Sequence, residues 1–160
     1  MDVMLISPYS LRPACPEDNH AIRGLIESVL KAYGITTDLA TTDQDLLAPA
    51  EHYIAQGGLL LVLEYATLLI GTVALTPVSE GVFELCRMYV ATHHRGQGLG
   101  RHLLNTALAE AAGRGVSRVQ LKTASVLTEA IALYRSAGFA LAPGESRCGK
   151  CDLVMFRQLP

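Results

Sequence analysis

Apolar residues recur along this chain with two periods, and the switches between them outline the elements. Alternation from Met4 to Arg12 predicts a first strand, after which Pro16-Glu17-Asp18 supplies a helix start signal. Ile22, Leu25, Ile26, Val29 and Leu30 then recur at helical spacing as far as Gly34. The segment from Thr36 to Gln56 is polar and acidic, and its pattern predicts a short helix over Asp43 to Ile54. Gly57-Gly58 breaks it, and three strands follow: Leu59 to Glu64, Leu68 to Thr76 and Val82 to Val90, the last two joined by a turn at Glu80-Gly81. Leu59 to Leu75 is apolar enough to resemble a membrane span. Glu64 and Thr67 interrupt it and Gly71-Thr72 follow, so two core strands fit better.

After Val90 the period lengthens. Leu99, Leu103, Leu104, Ala107, Leu108 and Ala111 lie on one helical face closed by Gly113 and Gly115. Arg118 to Lys122 reads as a short strand, Thr128 to Ala137 as a helix stopped at Gly138, and Phe139 to Leu141 with Leu153 to Phe156 as final strands. Strands first, then strands alternating with helices, predict an α+β fold around a mixed sheet, with one parallel crossover between Val82 and Lys122.

A chain of 160 residues, half of them hydrophobic, suits one domain spanning 1–160 with a packed core. The net charge of −2 gives no global reason to expect nucleic acid or a membrane surface as partner. That average hides an asymmetry: residues 1–86 hold 3 cations against 11 carboxylates, net −8, and residues 87–160 hold 10 against 4, net +6. The bias peaks between Arg87 and Lys122, where six cations face Glu110 alone, so a phosphate-bearing ligand is one reading and a solvated charged face the other. Asp2 stands where an export signal needs basic residues, which predicts a cytoplasmic protein whose cysteines are free thiols.

The most informative run is Arg95-Gly96-Gln97-Gly98-Leu99-Gly100, between a strand and a helix. Glycines let a ligand approach the backbone, and the unpaired N–H groups of a helix's first turn, with the helix dipole, favour an anion there. Arg95 and Arg101 add full charges. A nucleoside-triphosphate loop would require Lys and Ser/Thr after the last glycine, and a dinucleotide loop a different glycine spacing near the start of the chain.

With these residues the sequence resembles the GCN5-related N-acetyltransferase (GNAT) family, whose acyl-CoA signature Arg/Gln-x-x-Gly-x-Gly/Ala is matched by Arg95, Gly98 and Gly100. Leu85 to Val90 looks like the family's central strand, and Ala130 to Phe139 like its second conserved block. The resemblance implies a splayed, mostly antiparallel mixed sheet of six to seven strands with about four helices. It implies acetyl-CoA as cosubstrate, bound by Met88, Tyr89 and Val90 on the strand and by Arg95, Gly96, Gln97, Gly98, Leu99, Gly100 and Arg101 in the loop, with no metal. The implied reaction is acetyl transfer to a primary amine by direct attack in a ternary complex; a non-catalytic acyl-CoA sensor is the alternative, and nucleotide binding by the glycine loop a third.

Tyr134 matches the tyrosine that faces the CoA sulfur in many members. A phenol of pKa near 10 protonates a thiolate of pKa about 8.5 uphill by roughly 2 kcal/mol, so Tyr134 is read as a hydrogen-bond donor, and as an acid if its pKa is lowered in place. A lysine-like amine must first lose a proton, which costs about 4.6 kcal/mol at pH 7. Glu84, eleven positions before Arg95, is the candidate base; strict alternation would place it on one face with Cys86, Met88 and Val90. The bland reading makes Tyr134 a packed helix aromatic and Glu84 an exposed strand opener. Leu127 stands where many relatives carry a cofactor-holding Asn, with Ser125 and Thr128 as polar neighbours.

Cys148-Gly149-Lys150-Cys151 has metal or redox spacing but lacks a second ligand pair and a helix start. His93 and His94 are read as loop-surface residues, and Cys86 as a strand residue with no evident His partner for nucleophilic work. The acidic segment 36–56 and the loop 144–152 are expected to wall the acceptor, favouring a cationic one. Which amine is acetylated, and whether the chain forms a homodimer as many members do, stay open.

Overall fold

The computed structural model describes residues 8–142 and 151–160. Seven strands form one sheet: β1 (Tyr9–Pro13), β2 (Leu59–Tyr65), β3 (Leu68–Ser79), β4 (Val82–Val90), β5 (Arg118–Thr123), β6 (Ala140–Leu141) and β7 (Leu153–Gln158). Four helices flank it: α1 (Asn19–Ala32), α2 (Pro49–Ala55), α3 (Leu99–Gly113) and α4 (Thr128–Ser136). The strand order is β1-β2-β3-β4-β5-β7-β6, and β4 with β5 is the one parallel pair among antiparallel neighbours. The expected mixed sheet and its parallel crossover through α3 are therefore both present. The sequence-predicted start of the first strand, Met4 to Ser7, lies outside the described residues.

The sheet is buried on both faces. On one, α3 and Tyr134 of α4 cover Leu61, Leu63, Val73, Leu75, Val119 and Leu121; on the other, Ile22, Ile26 and Leu30 of α1, with Tyr53 of α2, cover Leu60, Val62 and Ala74. A strand covered on both sides has no polar stripe, which is why β2 reads as an unbroken apolar run. No helix among the described residues is long and apolar enough to cross a membrane.

One predicted element divides. The helix expected over 43–54 is a 3₁₀ turn, Gln44–Leu47, followed by α2, and the break falls at Ala48 with φ −151° and ψ 73°. Pro49 causes it, since the ring of a proline excludes the residue before it from helical backbone while suiting the first helical position itself.

Candidate functional site

Two features of β4 open the sheet where the sequence places its chemistry. Pairing with β5 runs only from Val82–Arg118 to Leu85–Leu121, although β4 continues to Val90, so the two strands part after Leu85. On the other edge, Thr72 pairs with Tyr89 and Ala74 with Cys86, which sets two steps of β3 against three of β4. The extra residue is a bulge centred on Arg87, held at φ 50°, a left-handed conformation that bulky residues rarely adopt. The Thr72 hydroxyl donates to the Arg87 carbonyl at 2.7 Å and ties the bulge down.

The bulge overturns the simple alternation. Phe83, Leu85, Met88 and Val90 pack against the α3 side, whereas Cys86 and Tyr89 pack against the α1 side. Glu84 goes with Cys86, whose thiol approaches its carboxylate at 3.9 Å, and it does not share a face with Met88 and Val90 as strict period-2 reading requires. One inserted residue shifts every later side chain to the opposite face.

A cavity of about 710 Å³ fills the space between the parted strands. It gathers Glu84, Met88, Tyr89, Val90, Arg95, Gly96, Leu99, Gly100 and Tyr134 of the sequence-predicted set, together with Cys86 and Leu127. Gln97, Gly98 and Arg101 do not line it and stand exposed on its rim. Gly98 caps α3 at φ 78°, and its carbonyl accepts the first helical hydrogen bond, from the His102 N–H, leaving the preceding N–H groups without helical partners. A Cβ on Gly100 would come within 3.2 Å of Leu133 Cδ2, so that position is small because α4 packs there.

Arg95 is already engaged. Its guanidinium donates to the Val90 carbonyl at 3.2 Å and to the Tyr33 hydroxyl at 3.2 Å, lies 5.7 Å from the Tyr33 ring centre, and is 3.9 Å from Glu129. It braces the loop against α1. Gln97 accepts from the Tyr9 hydroxyl at 2.7 Å, and Arg101 donates to Ser136 at 3.1 Å. His94 packs its ring on Tyr65, while His93 is exposed.

Tyr134 is 6% exposed, and its ring lies 5.9 Å from that of Phe139. Burial pushes its phenol up from the ordinary value, with smaller contributions from Tyr89 and Cys86. The direction is opposite to the lowering that proton donation would call for, so the phenol is held neutral, as a donor. Glu84 lies 3.4 Å from Gln120 Nε2 and 3.9 Å from Lys122 Nζ. Burial pushes the Cys86 thiol far up, which leaves it protonated and a poor nucleophile. Leu127 occupies the cap of α4, and Ser125 bonds Asp152 through both its N–H and its hydroxyl, so the hydroxyl does not substitute for the missing Asn side chain. Cys148 lies outside the described residues; Cys151 lines the cavity.

A charged cluster at the α2 end went unread in the sequence. Arg87, 13% exposed, donates to both carboxylate oxygens of Asp45 at 2.7 and 2.8 Å and to Asp43 at 2.9 Å, and Tyr53 donates to Asp45 at 2.6 Å. Burial alone would raise the Asp45 carboxyl, but Arg87 outweighs it and leaves it below the usual carboxylate range. The available signal was an arginine inside an apolar strand, which demands buried anions, beside an acidic segment able to supply them.

A family model described as the acetyltransferase (GNAT) family matches residues 24–139. The chain belongs to the GNAT family. It is 32% identical over 164 aligned positions to the uncharacterized N-acetyltransferase YjgM of Escherichia coli K12, an alignment covering 96% of this chain and 98% of that protein. The fold matches a GNAT acetyltransferase of Staphylococcus aureus Mu50 with TM-score 0.88 at 18% identity, over 95% of this chain and 99% of the other. It matches yncA of Salmonella typhimurium, solved with its cofactor acetyl-CoA, with TM-score 0.76 at 26% identity, over 96% and 95%. Within this GNAT chain, the parted strands, the glycine-capped α3 and Tyr134 converge on one cavity. Among the described residues no group of three or more His, Cys, Asp or Glu is arranged to hold a metal ion.

Proposed function

We propose that this protein transfers the acetyl group of acetyl-CoA to a primary amine by direct attack in a ternary complex. The observation that carries the reading is the parting of β4 from β5 after Leu85, beside the N-terminus of α3, in one cavity with Glu84 and Tyr134. Family membership and the acetyl-CoA complex of the Salmonella relative support it. The N–H groups opening α3 suit a pyrophosphate, with Arg101 on the rim and Arg95 holding the loop in place. Backbone groups of Met88 and Val90, on the edge that β5 leaves free, suit the amide groups of a pantetheine arm.

Glu84 takes a proton from the incoming ammonium, directly or through water, which exposes the nitrogen lone pair. The nitrogen–carbon bond forms as the carbon–sulfur bond breaks, and unpaired N–H groups of β4 favour the charge developing on the carbonyl oxygen. Tyr134 donates a hydrogen bond to the departing thiolate. Because its phenol is pushed up rather than down, the proton that neutralises the thiolate comes after bond cleavage from solvent or from the newly formed amide nitrogen, which still carries the second amine proton.

The sheet is continuous from β1 to β6, which supports treating the chain as one catalytic domain. Leu127 in place of the family's Asn favours a second reading, a CoA-binding module without turnover. Acetyl-CoA consumption across an amine panel separates them. The enzyme reading expects free thiol to appear with at least one amine; CoA binding with no turnover on any amine overturns it.

A further inference from the structure

We infer that the acceptor is a free α-amino acid, its ammonium received by Glu84 and its carboxylate by Lys122; this rests on the acetyltransferase reading above. Glu84 on β4 pairs with Gln120 on β5, and Lys122, two residues further along the same face, is beyond the last β4–β5 pair at Leu85–Leu121. It therefore stands at the mouth of the opening, and both it and Glu84 line the cavity. Two opposite charges sit side by side where the acceptor nitrogen must arrive.

The pair is unspent. Lys122 Nζ is 3.9 Å from Glu84 Oε1, too long for a good hydrogen bond, and the other side-chain partners of Glu84 among the described residues, Gln120 at 3.4 Å and the Cys86 thiol at 3.9 Å, make only long bonds. A carboxylate offers about four acceptor sites and an ammonium three donors, so both groups keep capacity for a ligand. The other cation of the acceptor end, Arg87, commits three of its five donors to Asp43 and Asp45 at 2.7 to 2.9 Å, so its charge is already matched by two carboxylates in direct contact. The loose pair and the tight cluster thus do different things: one holds the wall together and the other is left for substrate.

A simple amine seated on Glu84 would bring its positive charge against Lys122. An amino acid brings its own counter-charge, and its carboxylate, bonded to the carbon that bears the nitrogen, completes an alternating ring of four charges with the pair. Val29 and Leu30 of α1 line the same cavity and supply an apolar surface for a side chain.

Leucine, leucinamide and isoamylamine test this, since they share a side chain and differ in the carboxylate. Leucine is expected to exceed isoamylamine at least tenfold in kcat/KM, with leucinamide close to the amine. Lys122→Met should bring the leucine-to-isoamylamine ratio toward one through KM, and Lys122→Arg should preserve it. Leucinamide or isoamylamine used as well as leucine, or a ratio unmoved by Lys122→Met, overturns the inference. Other amines acetylated while leucine is refused overturns it and leaves the acetyltransferase reading standing, whereas CoA binding with no acetylation of any amine overturns both.

Discussion

At the scale of single residues, the roles proposed for Tyr134 and Glu84 each turn on one hydrogen, a donated hydrogen bond for the first and an accepted proton for the second. Tyr134→Phe removes a hydroxyl that has no partner among the described residues, so the fold should be unaffected. Turnover should fall by roughly 10- to 100-fold, at or below the lower end of what a positioned proton-transfer group contributes because Tyr134 supplies only a hydrogen bond, with KM for acetyl-CoA changed less than about twofold. Steady-state kinetics with varied acetyl-CoA checks this; an unchanged kcat would show that Tyr134 only packs. Glu84→Gln keeps the shape and loses the base. Its turnover should be depressed at pH 7 and recover as pH rises toward the amine's own pKa, because solvent then supplies the free amine. A pH–rate profile parallel to that of the wild type would refute the assignment.

Among the elements, the glycine-capped start of α3 and the bulged β4 carry the geometry, and both hold residues in left-handed backbone. Gly98→Ala puts a Cβ at φ 78°, a strain of about 1–2 kcal/mol. Nothing lies within 4 Å of that Cβ, so the cost is conformational, and relaxing it displaces the N–H groups of the first turn. Affinity for CoA should weaken about tenfold, measurable by calorimetry, with a thermal midpoint lowered by only about 3–6 °C. Arg87 is the opposite case, a bulky residue held at φ 50° by the hydrogen bond to its carbonyl and by two carboxylates. Asp45→Ala leaves a buried guanidinium with half its partners, at a cost of about 3–5 kcal/mol, and should lower the thermal midpoint by on the order of 10 °C. Combining it with Arg87→Met should cost much less than the sum of the two, since the stranded charge is gone.

For the molecule as a whole, the opposed halves of the charge distribution are compensated internally. Arg12 clamps Asp18 at 2.8 and 2.9 Å and also bonds Glu64, while Arg87, counted by sequence with the basic half, serves Asp43 and Asp45. Hydrogen bonds from Arg12 hold the Asp18 carboxyl well below the usual range, and Asp45 is lowered as well. A carboxyl with a depressed folded pKa stabilises fully above the unfolded value near 4 and loses that contribution as pH falls through the folded one. The half-buried ring of His102, lowered by desolvation, adds a shallower loss that begins below about pH 6.5. Thermal midpoints should therefore be flat from about pH 7 to 8, decline gently to about pH 4 and drop steeply below; Asp18→Asn should remove much of the acid drop.

What the sequence determined by itself is what acts over short range. Periodicity placed α1, α3, α4 and the strand boundaries of β2 to β5 within a few residues, because burial of one face imposes its period locally. Spacing placed Arg95, Gly98 and Gly100 at a helix entrance for the same reason. Tertiary structure alone decided the rest. The bulge at Arg87, which moves Glu84 to the face opposite Met88 and Val90, exists because Thr72 and two aspartates more than forty residues upstream hold it. The closeness of Glu84 to Lys122 follows from a parallel pairing that stops at Leu85. Neither arrangement leaves a periodic trace, since both arise from contacts between segments that meet only once the sheet has formed.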